Sequence, residues 1–196
     1  MYGTAGFLAG QVAGADWQTH TKERIFKALG MQNSVCLFKE FLIKPNKSLG
    51  YQRLKEKTEL TPYIDRMNAS PAGSIFFNFS DIIIWLQLHL NSGKFGKKQF
   101  VSEKQLNEMH SPQMIVGTGP MYREVYGTRI DTYGMGWHIQ PSHGTTMIHH
   151  GGNINGFSTF ASFLPKEKLG IIILCNLSAP SFRRVINQTL YDVLLG

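Results

Sequence analysis

Several features that would define a specialised class are scarce or missing in this 196-residue sequence. It has two cysteines, which are too few for a disulfide framework or for a metal site of the Cys-x-x-Cys type. No apolar run is long enough to span a membrane, and the apolar N-terminus lacks the basic region of a signal peptide. Charged residues make up only 17% of the chain and hydrophobic residues 42%, which excludes a disordered composition and favours a folded, enzyme-like domain.

Charge of one sign is not concentrated anywhere in the chain, although the formal net charge is +7. The basic residues are interleaved with acidic ones, as at Glu23 and Glu167, or lie in a turn that contains glycine, as at Lys94. This pattern is typical of solvated surface, and no nucleic-acid-binding motif is present. The sequence therefore predicts no nucleic-acid partner.

The first part of the sequence is predicted to be mainly helical. Asp16 is a candidate N-cap, and Gly30 is expected to end the helix that follows it. Ser80 is predicted to cap a second, strongly apolar helix, and Ser102 a third. Residues 32–70 carry proline, glycine and mixed charge, so loops and short extended pieces are expected there.

Beyond these helices the pattern changes to short segments rich in β-branched and aromatic residues, separated by glycine and proline turns. Antiparallel strands are predicted at residues 133–139, 146–149, 157–164 and 170–174. A final helix at 181–194 is expected to turn its apolar side chains toward the sheet: Phe182, Val185, Ile186, Leu190 and Val193. Helices followed by antiparallel strands predict an α/β fold of the α+β type.

The last quarter of the chain carries a run of motifs in a specific order. These are His150-Gly151-Gly152, Asn155-Gly156-Phe157, a strand that ends at Pro165, a charged turn, and a last apolar strand. Earlier segments in the same family order are Leu29-Gly30-Met31, Ser70-Pro71-Ala72-Gly73 and Tyr133-Gly134-Met135-Gly136-Trp137. In this respect the chain resembles the class C β-lactamases and penicillin-binding proteins, a superfamily that includes DD-peptidases and esterases.

The resemblance implies an incomplete β-lactamase/transpeptidase-like domain. Residues 1–125 are expected to form part of its helical region, and residues 126–196 its C-terminal antiparallel strands and packing helix. The family uses a Ser-x-x-Lys motif for the nucleophile and its base, and a Tyr-x-Asn motif for proton transfer. No serine in this chain has lysine three residues later, and Tyr2-Gly3-Thr4 departs from the second motif. We therefore expect the chain to begin just after the tyrosine motif and far downstream of the nucleophile.

The third motif of the family is present, and the resemblance assigns its roles. His150 is expected to form the strand wall of the pocket, and the backbone N–H of Asn153 to donate to the oxyanion. Gly151 and Gly152 are expected to let substrate approach the backbone, because a side chain would block the groove. Asn155 and Gly156 complete the predicted substrate-binding set. Gly151 stands where lactamases carry threonine, which favours ester or amide substrates over lactams.

Two functions follow from these features. The first is a serine hydrolase that forms an acyl-enzyme with an ester, amide or peptide substrate, inactive as this chain alone because the nucleophile is absent. The alternative is a non-catalytic relative that acts as a binding or matrix interaction protein. No cofactor is expected. A metal site within the run is not expected either, since His149 and His150 are adjacent on a strand and point to opposite faces.

Overall fold

The structure, a computed structural model, describes residues 1–65, 70–116, 120, 124 and 130–196. The chain divides into two compact units, one formed by Met1–Trp85 with Ile154–Gly156, and the other by Leu86–Asn153 with Phe157–Gly196. The boundary predicted between residues 125 and 126 falls outside the described residues, so the two-part division of the domain stays a prediction.

Helices dominate the first half of the described chain. Their bounds are α1 Tyr2–Ala13, α2 Trp17–Thr21 continued by a π-helical segment Lys22–Lys27, α3 Phe38–Leu42, α4 Ser70–Gly73, α5 Phe79–Leu90, α6 Glu103–Met109 and, near the C-terminus, α7 Arg183–Leu195. The strands are β1 Gly50–Leu54, β2 Lys57–Thr61, β3 Lys94–Phe95, β4 Lys98–Gln99, β5 Met114–Val116, β6 Asp131–Tyr133, β7 His138–Ser142, β8 Thr145–Ile154, β9 Phe157–Leu164 and β10 Leu169–Cys175. Helices therefore precede a mainly C-terminal set of strands, as predicted.

Two of the three predicted helix caps are confirmed. The side chain of Asp16 accepts a hydrogen bond from the backbone N–H of Thr19 at 2.7 Å, and Ser102 caps α6 in the same way. The prediction that Ser80 caps α5 is wrong. The side-chain oxygen of Asn78 accepts from the N–H of Asp81 at 2.9 Å, because an N-cap acceptor reaches the third residue beyond it and the helix already begins at Phe79.

The described part of residues 32–70 contains the predicted loops and short extended pieces and, in addition, a helix that was not predicted. Besides loops it includes α3 and the antiparallel hairpin β1–β2, in which Gly50 pairs with Thr61. Asp81 is buried at 3% exposure and holds this region by accepting hydrogen bonds from the N–H of Asn33 and the hydroxyl of Ser34, each at 2.8 Å. Asp81 thus fixes a loop as well as placing a negative charge in the first turn of α5.

In the described part of the chain, β5 to β10 form one six-stranded sheet in which strands lie in the order β10-β9-β8-β7-β6-β5. The single strand predicted at 133–139 is wrong, because a turn at residues 134–136 separates β6 from β7. Gly136 adopts a φ of 86°, which lets the chain reverse so that Tyr133 pairs with His138. The segment Tyr133-Gly134-Met135-Gly136-Trp137 therefore contains the tight turn of the β6–β7 hairpin.

The sheet is buried on both faces. Side chains alternate between the two faces along β8 and β9, so Ile148 and Phe163 lie in one cluster on one face. That cluster also contains Trp137, Leu86 and Ile139. The neighbouring residues Met147 and Leu164 pack on the other face with Ile171 and Tyr191. The near-continuous apolar run of β10 is typical of a strand covered on both sides, whereas β9 also carries Ser158, Thr159 and Ser162.

The prediction that the apolar side chains of α7 face the sheet is wrong. The helix instead buries Asn187 and Tyr191, both at 0% exposure, and the hydroxyl of Ser162 contacts their side chains at 2.5 and 2.9 Å. The predicted inward set is exposed: Phe182, Val185, Ile186, Leu190 and Val193, at 40–74%. The hydrogen bonds of Ser162 with Asn187 and Tyr191 set the buried face of this helix. The apolar surface on its other side is expected to promote self-association of the isolated chain.

Among the residues that the structure describes, no helix combines the length and apolar character that a membrane crossing requires.

Candidate active-site wall

His150 lies on β8 and forms a hydrogen bond with Tyr133 on β6. The distance between His150 Nε2 and Tyr133 Oη is 2.9 Å. Burial lowers the pKa of His150, with a further lowering from His138 and an opposing contribution from the backbone of Gly151. The imidazole is therefore neutral near pH 7 and can either donate or accept at this hydrogen bond. Tyr133 was part of a motif in the sequence analysis but was not predicted as a site residue.

Contacts with β9, which the sequence did not show, restrict the space for a side chain at Gly151 and Gly152. A Cβ at Gly152 would lie 2.8 Å from the hydroxyl of Thr159, and one at Gly151 would lie 3.3 Å from the ring of Phe160. Both neighbours belong to β9 and leave little room for a side chain. Packing against β9 thus disfavours a side chain at Gly152 and crowds one at Gly151, and the contact of both glycines with substrate stays a prediction.

Asn155 and Gly156 form the two-residue turn between β8 and β9. Gly156 has a φ of 81°, and a Cβ there would lie 2.6 Å from the backbone of Gly50 and from the side chain of Thr61. Its carbonyl accepts a hydrogen bond from the N–H of Tyr51 at 3.2 Å. The structure gives Gly156 a turn and packing role, and the predicted substrate contact of these two residues is untested.

Arg183, the first residue of α7, holds the end of the strand that carries the motif. One guanidinium nitrogen donates to the carbonyls of Gly152 at 3.1 Å and Thr159 at 2.6 Å, and the other donates to the side-chain oxygen of Asn153 at 3.0 Å. These contacts hold the carbonyl of the peptide group that carries the N–H of Asn153, which is predicted to act on the oxyanion, and the side chain of Asn153 itself. Sequence reasoning missed Arg183, because no local motif marks an arginine that acts on strands thirty residues upstream.

Replacing Arg183 with alanine is expected to speed amide hydrogen exchange in β8 and β9 around Gly152 and Thr159. A hydrogen bond from a charged donor contributes about 1.5–3 kcal/mol, so the expected increase is about tenfold or more. Hydrogen–deuterium exchange with mass spectrometry measures it. Arg184→Ala is the matched control, since it removes the same charge at the next position, and equal acceleration in both variants would contradict the role of Arg183.

A second group of polar side chains lies beside His150 on the same sheet. His138 Nδ1 is 3.0 Å from an oxygen of Asp131, and the rings of His138 and His149 are stacked with centroids 5.0 Å apart. His149 is 2% exposed and Asp131 1%. Burial lowers the pKa of His149 well below its usual value. Electrostatic interactions with three neighbours lower it further: His138, Arg184 and His150. The imidazole of His149 is therefore neutral at pH 7. Asp131, His138 and His149 are the described residues that could hold a metal ion.

His149 and His150 were predicted to point to opposite faces of a strand, and the ring of His138 contacts both, with centroids 5.0 Å from His149 and 5.7 Å from His150. The cross-strand neighbours of His149 were not predicted. His138 pairs with His149 across β7 and β8, and Thr132, next to Asp131, pairs with Ile139. Residues opposite each other in an antiparallel pair have their side chains close together on one face. The sequence signal that could have revealed this group is that each of three consecutive strands carries one of its polar residues: Asp131, His138 and His149.

The fold has the architecture of serine β-lactamases and penicillin-binding proteins. The chain superposes on the octameric penicillin-binding protein homologue from Pyrococcus abyssi with a TM-score of 0.74 and 20% identity, covering 93% of this chain and 39% of that one. It superposes on a class C β-lactamase with the same TM-score and 18% identity, covering 100% of this chain and 55% of that one. At these identities the likeness establishes the fold, and it confirms the predicted fold class.

The chain belongs to the β-lactamase family, since the family model described as Beta-lactamase matches residues 1–195. It is similar to a putative penicillin-binding protein of Bacillus subtilis (strain 168), with 26% identity over 194 residues. That alignment covers 98% of this chain and 43% of the relative, so the chain spans less than half the length of this relative. The family predicted from the motif order is confirmed, and it is a family of serine hydrolases.

Proposed function

We propose that residues 150–153 form the third wall of an acyl-transfer pocket that acts on an ester, amide or peptide. The hydrogen bond between His150 and Tyr133 is the observation that carries this proposal, because it fixes the orientation of a neutral histidine on the motif strand β8. Membership in the β-lactamase family supports the reaction class.

Asn153 is the proposed oxyanion donor of this wall. A backbone N–H on a strand is held in a fixed direction, so it can donate to charge that develops on the attacked carbonyl without costly reorganisation. The contacts of Arg183 with the carbonyl of Gly152 and the side chain of Asn153 support this role by immobilising the donor. The second donor of such an oxyanion hole is the N–H of the nucleophile.

The nucleophile has to come from residues beyond those of this sequence. No Ser-x-x-Lys motif occurs in the 196 residues, and a serine without an adjacent base is a weak nucleophile. Acyl-enzyme formation therefore needs a segment that this sequence does not contain. The 196 residues by themselves are proposed to be catalytically inactive.

Substrates without a carboxylate beside the reacting bond fit this wall better than lactams do. Gly151 offers no hydroxyl at the position where the family's lactamases use threonine to hold the substrate carboxylate. His150 is neutral near pH 7, so it supplies less attraction to an anion than the lysine of those enzymes. Esters and amides are the substrate classes that the proposal favours.

A binding role without catalysis is the second candidate, and the exposed apolar surface of α7 favours it. Sequencing the transcript upstream of the Met1 codon separates the two functions. An in-frame Ser-x-x-Lys followed by Tyr-x-Asn supports the hydrolase, with the present residues as its third wall. Continuous coding sequence without those motifs would contradict the hydrolase and support a protein that binds partners or matrix.

A further inference from the structure

Three adjacent strands bring Asp131, His138 and His149 to one place on the sheet. Asp131 lies on β6, His138 on β7 and His149 on β8, and their ligand atoms all lie within 4.8 Å of one another. This set combines two imidazoles and one carboxylate, which no motif in the sequence connects. It adjoins the acyl-transfer wall, because the ring centroid of His138 lies 5.7 Å from that of His150 and 4.8 Å from that of Tyr133.

Buried atoms without partners mark this cluster as a place for a ligand. Among the described residues, neither ring nitrogen of His149 has a hydrogen-bond partner, although the side chain is 2% exposed. The second carboxylate oxygen of Asp131 is also buried without a partner. A protein that buries polar atoms and leaves them unbonded loses stability, so such atoms in a cluster indicate a missing ion or water.

We propose that Asp131, His138 and His149 bind one divalent transition-metal ion of the Zn²⁺ type. Two imidazole nitrogens and one carboxylate oxygen form a common ligand set for Zn²⁺, with a fourth position left for water. Calcium and magnesium are disfavoured because they prefer sites made wholly of oxygen. The proposal does not rest on the proposed acyl-transfer function.

The geometry of the cluster suits this ion. Tetrahedral coordination at about 2.0–2.2 Å places the ligand atoms a little over 3 Å apart, so the donors need only a small convergence from their present spacing of up to 4.8 Å. His138 is 23% exposed in its side chain and gives a path from solvent to the buried pair. The positive charge of Arg184 acts against a cation here, and the carboxylate of Asp131 compensates it.

A bound ion would connect three strands next to the residue that forms the pocket wall. Each strand contributes one ligand, so coordination fixes the register of β6, β7 and β8 in addition to their backbone pairing. His150 follows His149 directly, and its position relative to Tyr133 depends on that register. The ion is therefore a structural one in this proposal.

Titration of the untagged, chelator-stripped 196-residue chain with ZnCl₂ by calorimetry, with elemental analysis after dialysis, tests the site. We expect one equivalent of zinc and a rise in melting temperature with zinc concentration. His149→Ala and Asp131→Asn are each expected to weaken binding by about 100-fold or more, since loss of even a supporting residue costs 10–100-fold. His143→Ala is the matched control, because His143 pairs with a carboxylate, Asp192, at another site and should leave the affinity unchanged.

Asp131→Asn keeps the shape of the side chain, so it decides the question if His149→Ala does not fold. Circular dichroism of the metal-free variants establishes that each one is folded before titration. Absence of stoichiometric zinc, or binding that is the same in Asp131→Asn, His138→Ala and the unaltered chain, would overturn the proposal. Loss of affinity in the ligand variants with retention in His143→Ala supports it.

Discussion

Lowering the pH from 7 to 5 is expected to reduce the free energy of unfolding by about 2 kcal/mol through His89 and by about 1 kcal/mol through His110, which is more exposed to solvent. Burial lowers the pKa of His89 to about 3, with a smaller lowering from the charge of His110, and burial lowers the pKa of His110 to about 4. The two rings share a hydrogen bond of 2.9 Å and pack against Trp137 and Phe163. One ring has to donate and the other to accept, so protonation of the acceptor breaks the bond.

The direction of this effect follows from proton uptake. Because the folded pKa values lie below the ordinary histidine value near 6.5, the unfolded state binds more protons than the folded state once the pH falls below about 6.5. The stability contributed by the neutral pair is complete above that pH and is lost progressively as the pH falls toward 4 and 3. The lowered pKa values of His149 and His150 act in the same direction.

Urea unfolding at pH 7 and pH 5, followed by intrinsic fluorescence at low protein concentration, measures this dependence. The double variant His89→Gln and His110→Gln carries no titrating group at the pair, so its stability should change by about 3 kcal/mol less than that of the unaltered chain over the same interval. Equal pH dependence in the two proteins would show that the pair is not buried as described.

Replacing Phe163 with alanine is expected to lower the free energy of unfolding by about 3–5 kcal/mol. The ring is 0% exposed and lies in the cluster formed with Trp137 and Ile148, with the Trp137 ring centroid 5.2 Å away at an interplanar angle of 87°. Truncation removes the transfer free energy of the ring and leaves a cavity that the sheet cannot close, because β8 and β10 hold β9 on both sides.

The same urea titration compares Phe163→Ala with Phe182→Ala. Phe182 is 43% exposed and directly precedes α7, so its truncation should change the stability by no more than about 0.5 kcal/mol. If Phe182→Ala lowered the free energy of unfolding as much as Phe163→Ala, the assignment of Phe163 as buried and Phe182 as exposed would be wrong.

Local signals in the sequence predicted those parts of the fold that depend on neighbours along the chain. The caps at Asp16 and Ser102 and the bounds of β9 agree with the structure, since each rests on a few adjacent residues. The face of α7 was not predictable from its apolar residues, because Asn187 and Tyr191 are held by Ser162 on a strand more than twenty residues away.

The residues of the candidate site likewise fall into those that a local motif predicted and those that it did not. His150 and the glycines after it were found because their motif is contiguous, whereas Tyr133 and Arg183 act on it from other elements. Their contacts depend on the strand order and on the position of the last helix, which no short motif records. Asp131, His138 and His149 come together only through the register of three strands.

The most direct test of the central claim compares two purified proteins, the 196-residue chain and the same chain extended by any in-frame coding sequence that carries Ser-x-x-Lys. Both are assayed with p-nitrophenyl esters and nitrocefin and labelled with a fluorophosphonate that reacts with activated serines. We predict neither turnover nor label for the 196 residues, and both for the extended protein. Ester hydrolysis by the 196-residue chain, abolished by stoichiometric fluorophosphonate labelling of one of its own serines, would contradict the account.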